Sequence, residues 1–219
     1  DPVSALAGGY MVNFMSYRKP HWNPDLDFSF LMPEYQKYKN VGGIGASQHF
    51  CQDLQIGLDL GWGGLLQKVR TYRSLNAPHG EDFYAGLEAI ILGMQDWIGR
   101  HAQAARELAL QEAPGSWLRQ NLEEMAEINQ LLVSEAPTTL RQACQWILWY
   151  QIAARMYNGS GSLGRLDVLL QPYYERESAA GTLSDEEAIF IIACQLVRDT
   201  AYIQLGGPDA SGRDVTSRV

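Results

Sequence analysis

Asn158-Gly159-Ser160-Gly161-Ser162-Leu163-Gly164-Arg165-Leu166-Asp167 follows an apolar segment rich in Trp and Tyr and leads into a charged, aromatic one. Three glycines and three hydroxyl or amide side chains within eight residues cannot continue either neighbouring helix. Two readings fit the run. It is a glycine helix cap followed by a loop, or a stretch whose backbone must approach another element or a ligand closely.

Helical signals surround it. Upstream, Thr139 and Gln142 stand in capping-box spacing ahead of a helix expected from Leu140 to Tyr157. Its apolar residues face all directions (Trp146, Ile147, Leu148, Trp149, Tyr150, Ile152), which marks a buried helix. Downstream, a helix is expected from Leu166 to Ala180, stopping at Gly181. Ser184 with Glu187 then caps another from Asp185 to about Tyr202. The stretch Ile203-Gln204-Leu205-Gly206-Gly207-Pro208 reads as extended with a tight turn.

Further upstream, an amphipathic helix is expected over Asp82 to Gln111, with Leu87, Ile90, Ile91, Met94, Trp97 and Ile98 on its apolar side. Pro114-Gly115-Ser116 breaks it, and another helix runs from about Trp117 to Ser134. From Gln52 to Tyr72 the pattern is again helical. Gly57, Gly61 and Gly64 share one face there, and each costs about 1 kcal/mol against alanine. Close approach to another backbone is the expected compensation. Residues 1–47 have no sustained period; their aromatics and Pro20, Pro24 and Pro33 suggest short strands or turns wrapped over a larger body. The chain thus divides into an irregular lead-in, 1–47, and a helical part, 48–219.

Composition narrows the function. A net charge of −8 without a basic run argues against a nucleic-acid surface. No apolar stretch approaches the ~18 residues of a membrane span. Cys51, Cys144 and Cys194 are odd in number and widely spaced, so they make neither a disulfide framework nor a zinc ligand pair. Each is expected to be a reduced, buried small hydrophobe, and no metal site is expected. No signal peptide is visible, so the cytoplasm is the default location. Asp1 and the unfinished run to Val219 read as the ends of a piece of a longer protein. Gly42-Gly43-Ile44-Gly45-Ala46-Ser47 is neither a dinucleotide fingerprint nor a Walker loop. His49 and Asp53 stand at i, i+4, where a helix start would put imidazole and carboxylate on one face. A buried histidine beside an N-terminal carboxylate accounts for the same spacing.

Four segments taken in order resemble the pyruvate formate-lyase-like glycyl radical enzymes. They are Gln48-His49-Phe50-Cys51-Gln52-Asp53 with Gly57 and Gly61; Asp82-Phe83-Tyr84-Ala85-Gly86-Leu87-Glu88-Ala89; the 158–167 run with Pro172-Tyr173-Tyr174-Glu175-Arg176-Glu177; and Leu205-Gly206-Gly207-Pro208-Asp209 with Gly212-Arg213-Asp214-Val215-Thr216. Any one is weak, and four in order are fairly specific. The resemblance runs from about residue 40 to the end.

It implies an α/β, helix-rich fold: part of a ten-stranded barrel wrapped by helices, with a site sealed from water and oxygen. In the family, a glycyl radical takes hydrogen from a cysteine, and the resulting thiyl radical activates the substrate. Both residues would lie downstream of this chain, since none of the three cysteines matches the catalytic one. No catalytic residue is therefore expected within the chain, which alone would be inactive.

By the same resemblance, Ser160 stands where dehydratase-type relatives place a substrate-contacting serine. His49 matches a position that is histidine in some dehydratases and a carboxylate-binding arginine in pyruvate formate-lyases. The missing arginine weakens a pyruvate assignment, because imidazole cannot bind a carboxylate bidentately. The histidine usual before the serine is Gly159 here, so the dehydratase pattern is broken too. The expected site is His49 and Ser160 on substrate, with Asp53 supporting His49. The expected partners are a small polar substrate, a radical S-adenosylmethionine activating enzyme and a second copy in a homodimer, with no cofactor bound directly. A helical binding or scaffold module without chemistry is the rival reading.

Overall fold

A computed structural model describes residues 2–9, 29–38, 51–157, 162–199 and 202–219. Among them are seven α-helices and two short strands. The helices are α1 (Met32–Tyr38), α2 (Leu54–Asn76), α3 (Glu81–Ala109), α4 (Trp117–Leu132), α5 (Leu140–Tyr157), α6 (Leu166–Ala180) and α7 (Asp185–Arg198); the strands are β1 (Ser162–Arg165) and β2 (Tyr202–Gln204). The fold class is α/β and helix-rich.

Helix α5 is the hub. Its residues from Leu140 through Ile152 include Trp146, Ile147, Leu148 and Trp149, all almost fully buried, and α2, α4, α6 and α7 pack around it. Trp146 stacks on Trp62 of α2, with ring centroids 5.1 Å apart. Trp149 meets Trp97 of α3 edge-on at 4.9 Å and donates its indole N–H to Asn129 Oδ1 of α4 at 2.6 Å. Asn129 donates in turn to Met125 O, so a wholly buried amide has both ends paired.

The start of α5 is capped differently from the expected box. Thr139 Oγ1 accepts from Gln142 N, but the Gln142 carbonyl turns to Thr138 N and Oγ1. Glu177 of α6 instead accepts from Leu140 N at 2.5 Å, a carboxylate at the positive helix end. The box at Ser184 and Glu187 is complete. Helix α7 ends at Arg198 rather than near Tyr202, because Tyr202–Gln204 leaves the helix to pair with β1.

The glycine face of α2 has more than one cause. A Cβ on Gly57 would sit 1.8 Å from the Trp146 ring, so this position clears an indole and not a backbone. Gly61 (φ +61°) is non-helical and kinks α2, and a Cβ there would fall 2.5 Å from the Glu135 backbone. Close to the kink, the Gly63 N–H is paired with Ser134 O at 2.8 Å. For Gly64 the nearest atom is only the side chain of Leu60 on its own helix.

The buried stripe of α3 runs Ile91, Met94, Ile98, Ala102, Ala105 and Ala109, at spacings of three and four. Ile90, expected on that stripe, is 63% exposed. Within the lead-in, Ser29–Leu31 forms a 3₁₀ turn that runs into α1, where strands or turns were expected. Residues 4–7 are buried between helices far along the chain.

Candidate functional site

The end of the glycine run becomes β1. Its residues pair in parallel with β2 (Ser162 with Tyr202, Gly164 with Ile203, Arg165 with Gln204), with an irregularity between Ser162 and Gly164. On the opposite side, Cys51 forms an isolated parallel bridge to Ser162. Three segments far apart in sequence thus run side by side, in the order Cys51, β1, β2. Gly164 is required at this junction: its φ is +62°, and a Cβ would lie 2.1 Å from Cys51 Sγ.

An ion pair between a half-buried Arg165 and a buried Asp167 fastens the junction. Arg165 donates from Nε and Nη2 to the two oxygens of Asp167, at 2.8 and 2.7 Å. This two-pronged geometry is the strong form of the contact. Asp167 Oδ2 also accepts from Gly206 N at 3.0 Å, and the same Arg165 Nη2 donates to Val215 O at 3.2 Å. The Arg165 guanidinium is the main reason that the Asp167 carboxyl is held down at about 2, aided by backbone N–H groups of Gly206 and Val168 and opposed by burial. The Leu-Gly-Gly turn is thereby tied to the strand that ends the glycine run. In the sequence, Arg165 and Asp167 stand out only as letters of a motif. The available signal was an Arg and an Asp two apart at the junction of strand and helix.

Of the three expected site residues, Asp53 is described, while His49 and Ser160 lie outside the described residues. Asp53 is exposed and caps α2, its Oδ1 accepting from Ile56 N at 3.4 Å. Helix α2 starts at Leu54 and Cys51 is in a bridge, so Asp53 stands just ahead of the helix rather than within it. The cysteines also differ from expectation. Cys144 is buried, and desolvation pushes its thiol far up, but Cys194 is half-buried and Cys51 exposed. Among the described residues, no three His, Cys, Asp or Glu side chains gather as metal ligands. No described helix is long and apolar enough to cross a membrane.

Residues 37–215 match the family model described as pyruvate formate lyase-like. The chain belongs to this family of glycyl radical enzymes. Among its glycyl radical relatives, the probable dehydratase YbiW of Escherichia coli is 34% identical over 150 residues, which cover 64% of this chain and 18% of the relative. An isethionate sulfite-lyase of Nitratidesulfovibrio vulgaris is 32% identical over 121 residues, covering 54% of this chain and 14% of that enzyme. The chain therefore spans less than a fifth of the length of these two relatives.

The fold is shared with solved structures. A glycyl radical enzyme from Archaeoglobus fulgidus superposes with a TM-score of 0.73 at 23% identity, over 86% of this chain and 28% of that one. Hydroxyproline dehydratase from Clostridioides difficile gives 0.73 at 21% identity, over 89% of this chain and 28% of its own.

Proposed function

We propose that this chain is the substrate-orienting portion of an anaerobic, cytoplasmic glycyl radical enzyme of the dehydratase or lyase type. The substrate would be a small polar molecule that loses a C–O, C–N, C–S or C–C bond. The Cys51–Ser162 bridge carries this reading. His49 stands two residues before Cys51, and Ser160 two before Ser162. Cys51 and Ser162, described residues close to those two positions in sequence, meet in one bridge, and this supports the reading. In this reading the three parallel segments belong to the ten-stranded barrel, His49 and Ser160 hold the substrate, and Asp53 orients His49.

The thiyl radical that starts the reaction would come from a cysteine outside these 219 residues. What the chain itself contributes is placement. An imidazole and a hydroxyl hold a substrate hydroxyl or a departing group in hydrogen-bond range, and a packed helical wall limits water. The dehydratases and sulfite-lyases among the relatives favour elimination over transfer of an acetyl group. They do not favour a scaffold without chemistry. A radical S-adenosylmethionine activating enzyme and a homodimeric assembly complete the proposal.

The test uses the full-length enzyme, activated anaerobically, with glycerol, 1,2-propanediol, hydroxyproline and isethionate as candidate substrates. His49→Ala and Ser160→Ala are each expected to lower turnover at least 100-fold while the glycyl-radical signal in electron paramagnetic resonance is retained. Asp53→Asn, which leaves an acceptor for the α2 cap, is expected to act more mildly. Unchanged turnover in both alanine variants would remove these residues from the substrate site.

A further inference from the structure

The segment Pro2–Gly8 lies ahead of the residues matched by the family model, and its residues 4–7 are as buried as the centre of the core, while Pro2 and Val3 are exposed. Ser4, Ala5, Leu6 and Ala7 are 6, 2, 0 and 7% exposed. Its backbone belongs to no helix or strand, so its polar groups need partners from elsewhere. Side chains of three helices supply them. Asn121 of α4 donates to Pro2 O at 2.7 Å and Ser4 O at 2.9 Å. Arg141 of α5 donates to Ala5 O at 2.8 Å, and Gln145 of α5 clamps Ala7, accepting from its N at 2.7 Å and donating to its O at 3.2 Å. From α7, Cys194 Sγ accepts from Ala5 N at 3.4 Å, while Arg198 donates to Ser4 Oγ at 3.1 Å and to Gly8 O.

Those receptor groups are themselves held in place. Arg141 Nη2 donates to Asn121 Oδ1 at 2.9 Å, and its Nη1 pairs with Glu124 at 2.5 Å. A cleft whose donors are fixed by each other binds a peptide backbone at low ordering cost. The cleft also selects side chains. Leu6 is fully enclosed. At Gly8 (φ +104°) a Cβ would lie 2.8 Å from Ile152 Cδ1. Solvent reaches the segment from both flanks. A cavity of about 300 Å³ adjoins Ala5, between Asn121, Arg141 and Phe190, and one of about 220 Å³ adjoins Val3 and Ser4, beside Cys194 and Val197.

We propose that the cleft between α4, α5 and α7 is a peptide-binding site, and that the chain's own Pro2–Gly8 occupies it as a separable ligand. The site fits a short peptide with one leucine anchor between small residues and a glycine two places after the leucine. This occupancy is independent of the radical chemistry proposed above.

The intact 219-residue chain tests it. A protease recognition sequence inserted between Ser16 and Tyr17 is cut after folding, and size-exclusion chromatography then reads whether the amino-terminal piece stays bound. The piece is expected to co-elute and to exchange, saturably, with an excess of fluorescent peptide corresponding to residues 1–9. A Gly8→Val peptide should compete at least 10-fold more weakly, and Gln145→Leu in the chain should weaken capture of the normal peptide to a similar degree. Four results would overturn the proposal: release of the piece while far-UV circular dichroism is unchanged, unfolding on cutting, a bound piece that never exchanges, or equal competition by both peptides.

Discussion

Asp167 is the side chain whose chemistry reaches furthest at the scale of single residues. In the folded chain its carboxyl titrates at about 2, against 3.8 for an ordinary aspartate. Between those values the unfolded chain binds more protons than the folded one, so the contribution is present in full above pH 4 and fades as pH falls toward 2. It is worth about 2 kcal/mol. Asp167→Asn is accordingly expected to lose about that amount in urea titrations at pH 7. The gap from the unaltered chain should narrow when the same titrations are repeated at pH 3. Two glycines give opposite expectations at this scale. Gly57→Ala drives a methyl into the Trp146 ring and should cost about 3 kcal/mol. In a Trp146→Leu background its cost should shrink, which a double-mutant cycle would read as coupling. Gly86→Ala, with nothing within 4 Å of the added carbon, should instead stabilise α3 by about 0.5–1 kcal/mol.

The elements differ in how far local chemistry sets them. Helix α7 starts where Ser184 and Glu187 reciprocate around the first turn, so Ser184→Ala should lower stability by about 1 kcal/mol in thermal unfolding. Its far end is another matter. Apolar periodicity carries on past Arg198, and the sequence alone suggests a helix to Tyr202. The chain leaves the helix because Tyr202, Ile203 and Gln204 find ladder partners in β1, about forty positions earlier. Helix α2 behaves similarly. Its pattern is continuous in sequence, but Gly61 adopts a left-handed φ and folds the helix around residues 134–136. At α5, the threonine of the expected capping box works as read, while its glutamine is displaced by Glu177 arriving from α6. Local signals set the starts of α4 and α7, whereas contacts remote in sequence capped α5, kinked α2 and ended α7.

Across the whole molecule, α5 is enclosed by four other helices while α1 has no buried residue. Hydrogen exchange by mass spectrometry should therefore find the slowest amides in α5 between Ala143 and Ile152 and the fastest in α1. Comparable rates in the two would contradict the placement of α5 at the centre. That α5 is buried was legible, because a helix apolar on every face has no side to give to water. The helix-rich class and the family membership were legible too, the first from periodicity and the second from four motifs in order. The clasp of Arg165, Asp167 and Gly206 was not legible, nor was the lodging of Ala5–Ala7 against Arg141, Gln145 and Cys194. The sequence by itself determined the helices, the central one and the family, because turn chemistry and apolar spacing act within a few residues. Only the tertiary structure decided that Cys51, Ser162 and Tyr202 lie side by side, and that the amino-terminal segment fills an interhelical cleft. Those outcomes depend on backbone and buried polar groups finding partners 39 to 189 positions away, which no local pattern encodes.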